Sequence, residues 1–255
     1  MIAKSVYFLG WDVGAWHCKG NLTGKTSRDA LVILDSTLRC KGTWRGNLSQ
    51  SINDAETADE WISMLFAYCK IEQEDHRRSE IFLAIDTPLG FPEAFVRLVG
   101  HRQCVPRIEE LSKDNVYLYR ATERVVAQHI RRPLSAVQDQ IGSQATKGMH
   151  ILAKFGITKA ADCGVWNLVT ENIALTVIEA YPSACVGSSK INELKTRCNI
   201  PAVWSEDEKD ALTCALVANL YGTERHLLAD PDSGVPPDEG WIWFPKDANL
   251  IGGEN

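Results

Sequence analysis

The sequence contains no long hydrophobic run, and no segment approaches the roughly twenty consecutive apolar residues that a membrane-spanning helix requires. Its first residues, MIAKSVYFLGWDVG, place one lysine before a short apolar run that ends at Asp12. A signal peptide would continue with apolar residues and end at small ones. We therefore predict a protein without membrane association, whose first apolar run is a buried strand.

Spacing typical of metal-binding cysteines and histidines is also missing. The eight cysteines include no CxxC pair, and the six histidines never show a spacing such as HxxxH, which argues against a zinc site. Without a secretory signal, a framework of disulfides is not expected either. We interpret the cysteines as reduced thiols and predict a cytoplasmic protein.

Positive charge is in deficit, since the formal net charge is −6, and this argues against a protein that coats nucleic acid nonspecifically. The balance is uneven along the chain. Residues 97–132 carry eight basic and four acidic side chains, a net charge of +4, which leaves −10 for the remainder. This basic segment is either a surface that contacts phosphate groups or a solvated helical face.

The alternation of apolar runs and helical patterns predicts an α/β fold with a mixed five-stranded sheet flanked by helices. Besides a short strand in the motif GWIWFP, strands are predicted at residues 5–12, 30–38, 42–48, 80–86 and 172–182. Helices are predicted at residues 58–69 and 206–221. The segment from about residue 91 to residue 171 is predicted to be a large helical insertion after the fourth strand. No repeat or linker divides the sequence, so we expect a single domain over residues 1–255.

Two aspartates stand where a predicted apolar strand gives way to a turn. Asp12 ends the first strand and Asp86 ends the fourth, and sites in α/β sheets form beyond the carboxyl ends of the strands. A third group of acids opens the last helix, where Asp207 and Asp210 share one helical face. Converging carboxylates repel one another unless a cation lies among them, and oxygen-rich sites suit Mg²⁺ or Mn²⁺. We expect these four side chains to bind such ions.

Five motifs carry a resemblance to a known family: GWDVG, AIDTPLGFP, IEAYP, DEKDALTCALVA and GWIWFP. In order and spacing they resemble the family catalogued as domain of unknown function four-two-nine, which is described as predicted nucleases with an RNase H-like fold. The resemblance spans nearly the whole chain and implies that Asp12, Asp86, Asp207 and Asp210 form the metal site. The last helix is also similar to the closing helix of RuvC-type resolvases, which usually carry Glu where this chain has Asp86.

Three further residues are candidates for the site. Glu179 ends the fifth predicted strand, where it either joins the other acids or forms a salt bridge to the insertion. Arg120 and Arg124 flank Glu123 on a predicted helix of the insertion. The resemblance implies an arginine and an acid at this place, so we predict that both arginines contact substrate. An ion-paired helix surface is the alternative.

These residues favour a metal-dependent nuclease that hydrolyses phosphodiester bonds of DNA or RNA, with Mg²⁺ or Mn²⁺ as its cofactor. One alternative is an ATP-binding phosphotransferase or ATPase of the actin-like superfold, because Gly10, Asp12 and Gly14 form a G-x-D-x-G turn. Only one such module fits in the chain, and no GxxxxGK(S/T) motif is present. The other alternative is a catalytically weak nucleic-acid-binding module with a regulatory role.

One pattern bears on the oligomeric state. Val96, Leu98 and Val99 form an apolar stripe within the predicted insertion. The stripe is either the interface of a homodimer or part of the core, and the sequence leaves both interpretations open.

Overall fold

One mixed sheet organises the computed structural model, which describes residues 5–18, 28–72, 78–129, 132–200 and 204–248. Its strands are β1 (Val6–Asp12), β2 (Asp29–Asp35), β3 (Cys40–Gly46), β4 (Ser79–Asp86), β5 (Thr158–Lys159), β6 (Val165–Val169), β7 (Ile173–Ala180) and β8 (Ile242–Trp243). Their order is β3-β2-β1-β4-β7-β6-β5, and β8 pairs with β7 beyond the end of β6. The central strands β1, β4 and β7 are parallel, whereas β2 and β6 run antiparallel to their neighbours.

Helices cover both faces of this sheet. They are α1 (Ser49–Asp54), α2 (Ala58–Tyr68), α3 (Glu93–His101), α4 (Ala121–His129), α5 (Gly142–Lys154), α6 (Ser189–Arg197) and α7 (Glu206–Thr223). On one face, α6 and α7 pack on apolar side chains that include Phe8 and Ala84. On the other face, α1, α2 and α5 pack on a second apolar cluster that includes Leu9 and Leu83. The mixed α/β class predicted from the sequence is thus confirmed.

The predicted number of five strands is wrong, because the sheet has eight within the described residues. The predicted insertion at residues 91–171 is also wrong in its last part. Its helices end at Lys154, and β5 and β6 then form an antiparallel pair that extends the sheet beside β7. β5 has only two residues, both exposed, so it lacks the apolar alternation by which a strand is recognised in a sequence.

The beginnings of α2 and α7 follow from their sequences. Thr57 precedes α2 and accepts a hydrogen bond from the backbone N–H of Glu60 at 3.2 Å, while the Glu60 carboxylate accepts one from the Thr57 N–H. Ser205 forms the same arrangement at the start of α7. Such capping boxes satisfy N–H groups that a helix leaves unpaired at its start. The first turn of α7 is therefore fixed in place, and Asp207 and Asp210 with it.

α7 lies directly on β1 because Gly10 has no side chain. A Cβ atom at this position would lie 1.8 Å from the backbone oxygen of Ala211 and 2.4 Å from the backbone nitrogen of Ala215. In a close-packed interior, a larger residue would have to push the helix away from the sheet. The contact therefore brings the first turn of α7, with Asp210, to the end of β1, where Asp12 lies two residues beyond Gly10.

The apolar stripe of Val96, Leu98 and Val99 lies on the outside of the molecule. α3 has no buried residue, and Val96 and Val99 are 49% and 68% exposed. The interpretation of this stripe as core is therefore wrong. A role as the face of a homodimer stays a prediction.

Two expectations from the sequence concern membranes and thiols. Of the described helices, none combines the length and the apolar composition that crossing a membrane requires. All eight cysteines lie within the described residues, and each is a free thiol.

The close contact at Gly10 makes a direct test of the packing of α7. We expect Gly10→Ala to lower the free energy of unfolding by about 3 kcal/mol or more, because the added methyl group collides with backbone atoms of the helix. Gly100→Ala is the matched control, since a Cβ there meets no atom within 4 Å outside its own turn of α3. We expect this control to be neutral or stabilising by about 0.5 kcal/mol. Urea unfolding measures both, and equal midpoints for the two variants would contradict the packing described.

Candidate functional site

Asp12 and Asp86 lie side by side at the carboxyl edge of the sheet. They are register partners in the parallel pairing of β1 with β4, and adjacent strands lie about 4.8 Å apart. Their side chains leave the sheet on the face that α7 covers, as do those of Phe8 and Phe82, whose rings stack earlier in the same two strands. Among the described residues, neither carboxylate has a hydrogen-bond or ion-pair partner.

Burial and neighbouring charge disfavour the ionised form of both carboxyl groups. The pKa of Asp12 is raised to about 9, first by burial and then by the charges of Asp86, Asp207 and Asp210. Burial raises the pKa of Asp86 well above its usual range, and the charges of Asp210 and Glu179 add to this shift. Carboxyl groups perturbed in this way cluster at functional sites.

The two acids of α7 have different surroundings. Asp207 accepts hydrogen bonds from Nε and Nη2 of Arg45 at 2.7 and 2.6 Å, and from the backbone N–H of Arg28 at 3.2 Å. Asp210 has no such partner in the described part of the chain, and burial, followed by the charge of Glu206, raises its pKa. Because Arg45 already neutralises Asp207, its contacts argue against the metal-binding role predicted for it. Asp210 is the acid of α7 that remains available.

The donor atoms at this edge suit a hard divalent cation, although they do not form a complete shell. Within the described ranges, no group of three or more His, Cys, Asp or Glu side chains is arranged to hold a metal ion. Mg²⁺ is commonly held by one or two carboxylates, while water and substrate phosphate complete its shell. Asp12 and Asp86 offer such a pair without a competing partner, so the chemistry of the donors fits Mg²⁺ or Mn²⁺.

A buried ion pair that the sequence analysis missed holds the turn after Asp12. Lys147 of α5 donates from Nζ to Asp29 at 2.5 Å and to the backbone oxygen of Gly14 at 3.3 Å. Asp29 also accepts hydrogen bonds from the indole N–H of Trp11 at 3.0 Å and the backbone N–H of Gly14 at 2.9 Å. Both charged side chains are fully buried. The signal in the sequence is a lysine on the apolar face of α5, where an unpaired charge would be costly.

A second buried cluster holds the loop after Asp86. The Arg120 Nη1 and Nη2 atoms donate to the two carboxylate oxygens of Glu179 at 2.8 and 2.6 Å, and Nε donates to Glu123 at 2.8 Å. Glu179 accepts a further hydrogen bond from the backbone N–H of Leu89 at 2.9 Å. Burial alone would lower the pKa of Arg120, but the charges of Glu179 and Glu123 outweigh it and raise the pKa. The guanidinium therefore stays charged and ties the loop to the sheet.

This cluster distinguishes between the alternatives that the sequence left open. Glu179 forms the salt bridge to the insertion and, as the register partner of Ile85, leaves the sheet on the face opposite to Asp86. Arg120 is buried with its guanidinium occupied, so the predicted substrate contact is wrong for this residue. Glu123 is ion-paired, but in the interior and not on a helix surface.

Arg124 is the predicted substrate arginine that stays accessible. Among the described residues its guanidinium has no hydrogen-bond or ion-pair partner. It lines a cavity of about 170 Å³ whose charged residues are Lys113, Asp114, Glu123, Arg124 and Arg132. Arg132 lies over the Tyr119 ring, 4.7 Å from its centroid. We call this surface the basic groove; Arg131, from the same basic segment of the sequence, lies outside the described residues.

The raised pKa of Asp12 predicts how the stability of the metal-free protein depends on pH. Between its usual value of 3.8 and its folded value of about 9, the folded protein holds a proton that the unfolded chain has released. The stability of the wild type therefore falls as the pH rises through this window. The Asp12→Asn variant has no ionisable group at this position, so its stability does not fall for this reason. In chelator near pH 8, we expect Asp12→Asn to melt at least about 4 °C above the wild type.

The control for this measurement is Glu56→Gln, at an exposed glutamate just before α2. Melting is followed by circular dichroism at several pH values. The advantage of Asp12→Asn shrinks toward pH 4 if the pKa is raised as described, whereas an advantage that does not depend on pH would contradict it.

The buried cluster around Arg120 predicts a large effect of removing one partner. Arg120→Met leaves two buried carboxylates without their cation, so we expect the free energy of unfolding to fall by about 3–5 kcal/mol. Arg97→Met removes an arginine from an exposed pair with Glu93, and we expect a loss of at most about 1 kcal/mol. Urea unfolding compares the two. Losses of similar size would show that the Arg120 cluster is not a desolvated network.

The chain was compared with protein-family models, with curated proteins and with solved structures, and none of the three comparisons gave a match. Interpretation of the site therefore rests on the geometry of its residues. The resemblance to RNase H-like nucleases stays a prediction.

Proposed function

We propose that this protein is a metal-dependent nuclease of the RNase H-like type, in which Asp12 and Asp86 bind Mg²⁺ or Mn²⁺ for the hydrolysis of phosphodiester bonds and Asp210 adds its negative charge nearby. The observation that carries the proposal is a pair of register-matched carboxylates with no partner among the described residues. Such a concentration of negative charge suits a divalent cation, and it suits substrates whose phosphates complete the shell of that cation.

The origins of the three acids support this proposal. Asp12 ends β1, Asp86 ends β4, and Asp210 belongs to the helix that packs on Gly10 of β1. The similarity to RuvC-type resolvases implies the same combination of a first-strand acid, a mid-sheet acid and a last-helix acid. Membership in this group of nucleases is therefore part of the proposal.

Each residue of the site has a definite part in the proposed reaction. When bound, the ion supplies a Lewis acid for a phosphate oxygen and lowers the pKa of a water molecule. Asp12 and Asp86 would bind the ion, and the negative charge of Asp210 on α7 would favour a cation beside them. Asp29 and Glu179 act as positioning residues, because each accepts a hydrogen bond from the turn that follows one of the aspartates.

The basic groove offers a second contact for nucleic acid. Lys113, Arg124 and Arg132 line it together with Asp114 and Glu123, which leaves a net charge of +1 on a protein whose net charge is −6, and Arg132 is also paired with Asp139 at 3.4 Å. Contacts of lysine and arginine with phosphate position a nucleic-acid backbone without reading its sequence. The groove therefore fits a polymer of phosphodiesters better than it fits an uncharged substrate.

A contact of Gly14 argues against the ATP-binding alternative. A phosphate-binding glycine turn offers its backbone N–H groups to the phosphates. The N–H of Gly14 instead donates to the buried carboxylate of Asp29 at 2.9 Å. The last glycine of the G-x-D-x-G turn is thus occupied, which favours the nuclease.

Cleavage assays test this proposal. Purified protein is incubated with Mg²⁺ or Mn²⁺ and labelled single-stranded, duplex, hybrid or branched substrates, while ATP hydrolysis is followed in parallel. We expect metal-dependent cleavage that falls by about a hundredfold or more in Asp12→Asn and Asp86→Asn, because each removes a carboxylate that holds the ion.

Asp207→Asn is a discriminating variant in the same assay. Its carboxylate is bound to Arg45, so we expect it to lose less than about tenfold in rate, whereas Asp210→Asn loses more. Glu56→Gln, at an exposed glutamate just before α2, serves as the control. Metal-dependent ATP turnover without cleavage of any nucleic acid would overturn the proposal in favour of a phosphotransferase.

A further inference from the structure

A cavity of about 180 Å³ opens beside the carboxylate pair. Asp12 and Asp86 lie on one side of it, and residues of the insertion, Leu134, Ile141 and Gln144, form the opposite wall. A water molecule occupies roughly 10–15 Å³ on the same measure, so the cavity has room for an organic group. The walls combine apolar side chains with polar ones, which include the acidic residues Asp12, Asp86 and Glu179.

Two polar groups in the cavity have no partner. The Thr87 hydroxyl is buried and makes no hydrogen bond, although buried polar groups are nearly always paired. The side-chain amide of Gln144 also has no hydrogen bond among the described residues. Both residues line the same cavity, although neighbouring atoms cover the Thr87 hydroxyl itself, and Thr87 directly follows Asp86 in the chain. A ligand that bears donors and acceptors would satisfy them.

The position of Thr87 is fixed by a close contact with α5. A Cβ at Gly148 would lie 2.6 Å from the Thr87 Cγ2 atom and 2.8 Å from a methyl carbon of Leu89, so the helix approaches this loop only because glycine is present. Gln144 lies one turn earlier on the same helix. The spacing of the two unpaired groups is thus built into the packing of α5.

Apolar surface in the cavity is also unpartnered. Leu134 is 52% exposed, although it is a large aliphatic residue, and it lies on the cavity wall. Residues Arg132 and Pro133 precede it, and Arg132 lines the basic groove while Pro133 lines the cavity. A single short segment therefore joins the cavity at the carboxylates to the basic groove.

We propose that the cavity holds one unpaired nucleotide of the substrate. This proposal rests on the nuclease function proposed above. The base of the nucleotide packs against Leu134 and Ile141, and its edge forms hydrogen bonds with Gln144 and Thr87. Its phosphate lies toward Asp12 and Asp86, and the adjoining backbone follows the basic groove. Because enzymes that enclose one base must take it out of a duplex or bind single strands, the substrate is unpaired at this position.

Equilibrium binding tests this inference separately from catalysis. The probe is a short labelled phosphorothioate oligonucleotide, used as a single strand and as a blunt duplex of the same sequence, with fluorescence anisotropy in Mg²⁺. We expect the single strand to bind at least tenfold more tightly than the duplex. We expect the double variant Leu134→Ala with Gln144→Ala to bind the single strand about tenfold more weakly, because the base loses a packing surface and a hydrogen bond.

Thr87→Val provides a variant whose folding is not at risk. It replaces an unpaired buried hydroxyl by a methyl group of similar shape, so we expect stability to be kept or increased. We expect single-strand affinity to fall several-fold, because the hydrogen bond with the base is lost. Val169→Ala, at an exposed valine of β6, is the control and should bind as the wild type does.

Equal affinity for both forms, no binding of either form, or unchanged affinity in both cavity variants would overturn the assignment of the cavity. Cleavage that depends on metal and on Asp12 would then still support the proposed nuclease. Conversely, preferential single-strand binding that is weakened in the cavity variants supports the cavity, even if no substrate is cleaved and the nuclease proposal fails.

Discussion

The parallel pairing of β1 with β4 places two like charges next to each other, and the surrounding structure is organised around this repulsion. At the spacing of adjacent strands, two ionised carboxylates would repel by roughly 3 kcal/mol in a medium with an effective dielectric constant of about 20, and this repulsion adds to burial in keeping the proton on Asp12 in the free protein. The register makes the juxtaposition of Asp12 and Asp86 unavoidable, since any slip would move the side chains apart. The pair is therefore costly in the free protein, and a bound cation removes that cost.

Two buried ion pairs hold the backbone on which these carboxylates stand. Asp29 with Lys147 fixes the turn after Asp12, and Glu179 with Arg120 fixes the loop after Asp86. A buried pair gains little net stability, because desolvation offsets the attraction between its charges. The hydrogen bonds of each buried pair nevertheless hold the neighbouring backbone in one conformation. Both cations come from the region predicted as an insertion, so that region is part of the framework of the site.

The sequence predicted the parts of this architecture that depend on local patterns. The strands that end in Asp12 and Asp86 are mostly apolar, and the start of α7 has a capping box, so both were recognisable. The strand pair β5 and β6 was missed because pairing with β7, and not apolar alternation, defines it. Ion pairs between distant residues, such as Lys147 with Asp29, leave almost no local signal. The same reason explains why Arg120 was predicted to contact substrate.

Several features that weaken a folded protein meet at one edge of this sheet. The edge carries paired carboxylates without partners, a buried hydroxyl at Thr87 without a hydrogen bond, and a large apolar side chain, Leu134, that is half exposed. Elsewhere, buried charges such as Arg120 are fully hydrogen-bonded. Residues that oppose stability persist at sites that bind ligands, because the ligand supplies the partners that these residues lack in the free protein. One metal-bound nucleotide would supply all three partners. Its cation would bind the carboxylates, its base edge would form hydrogen bonds, and its base surface would cover Leu134.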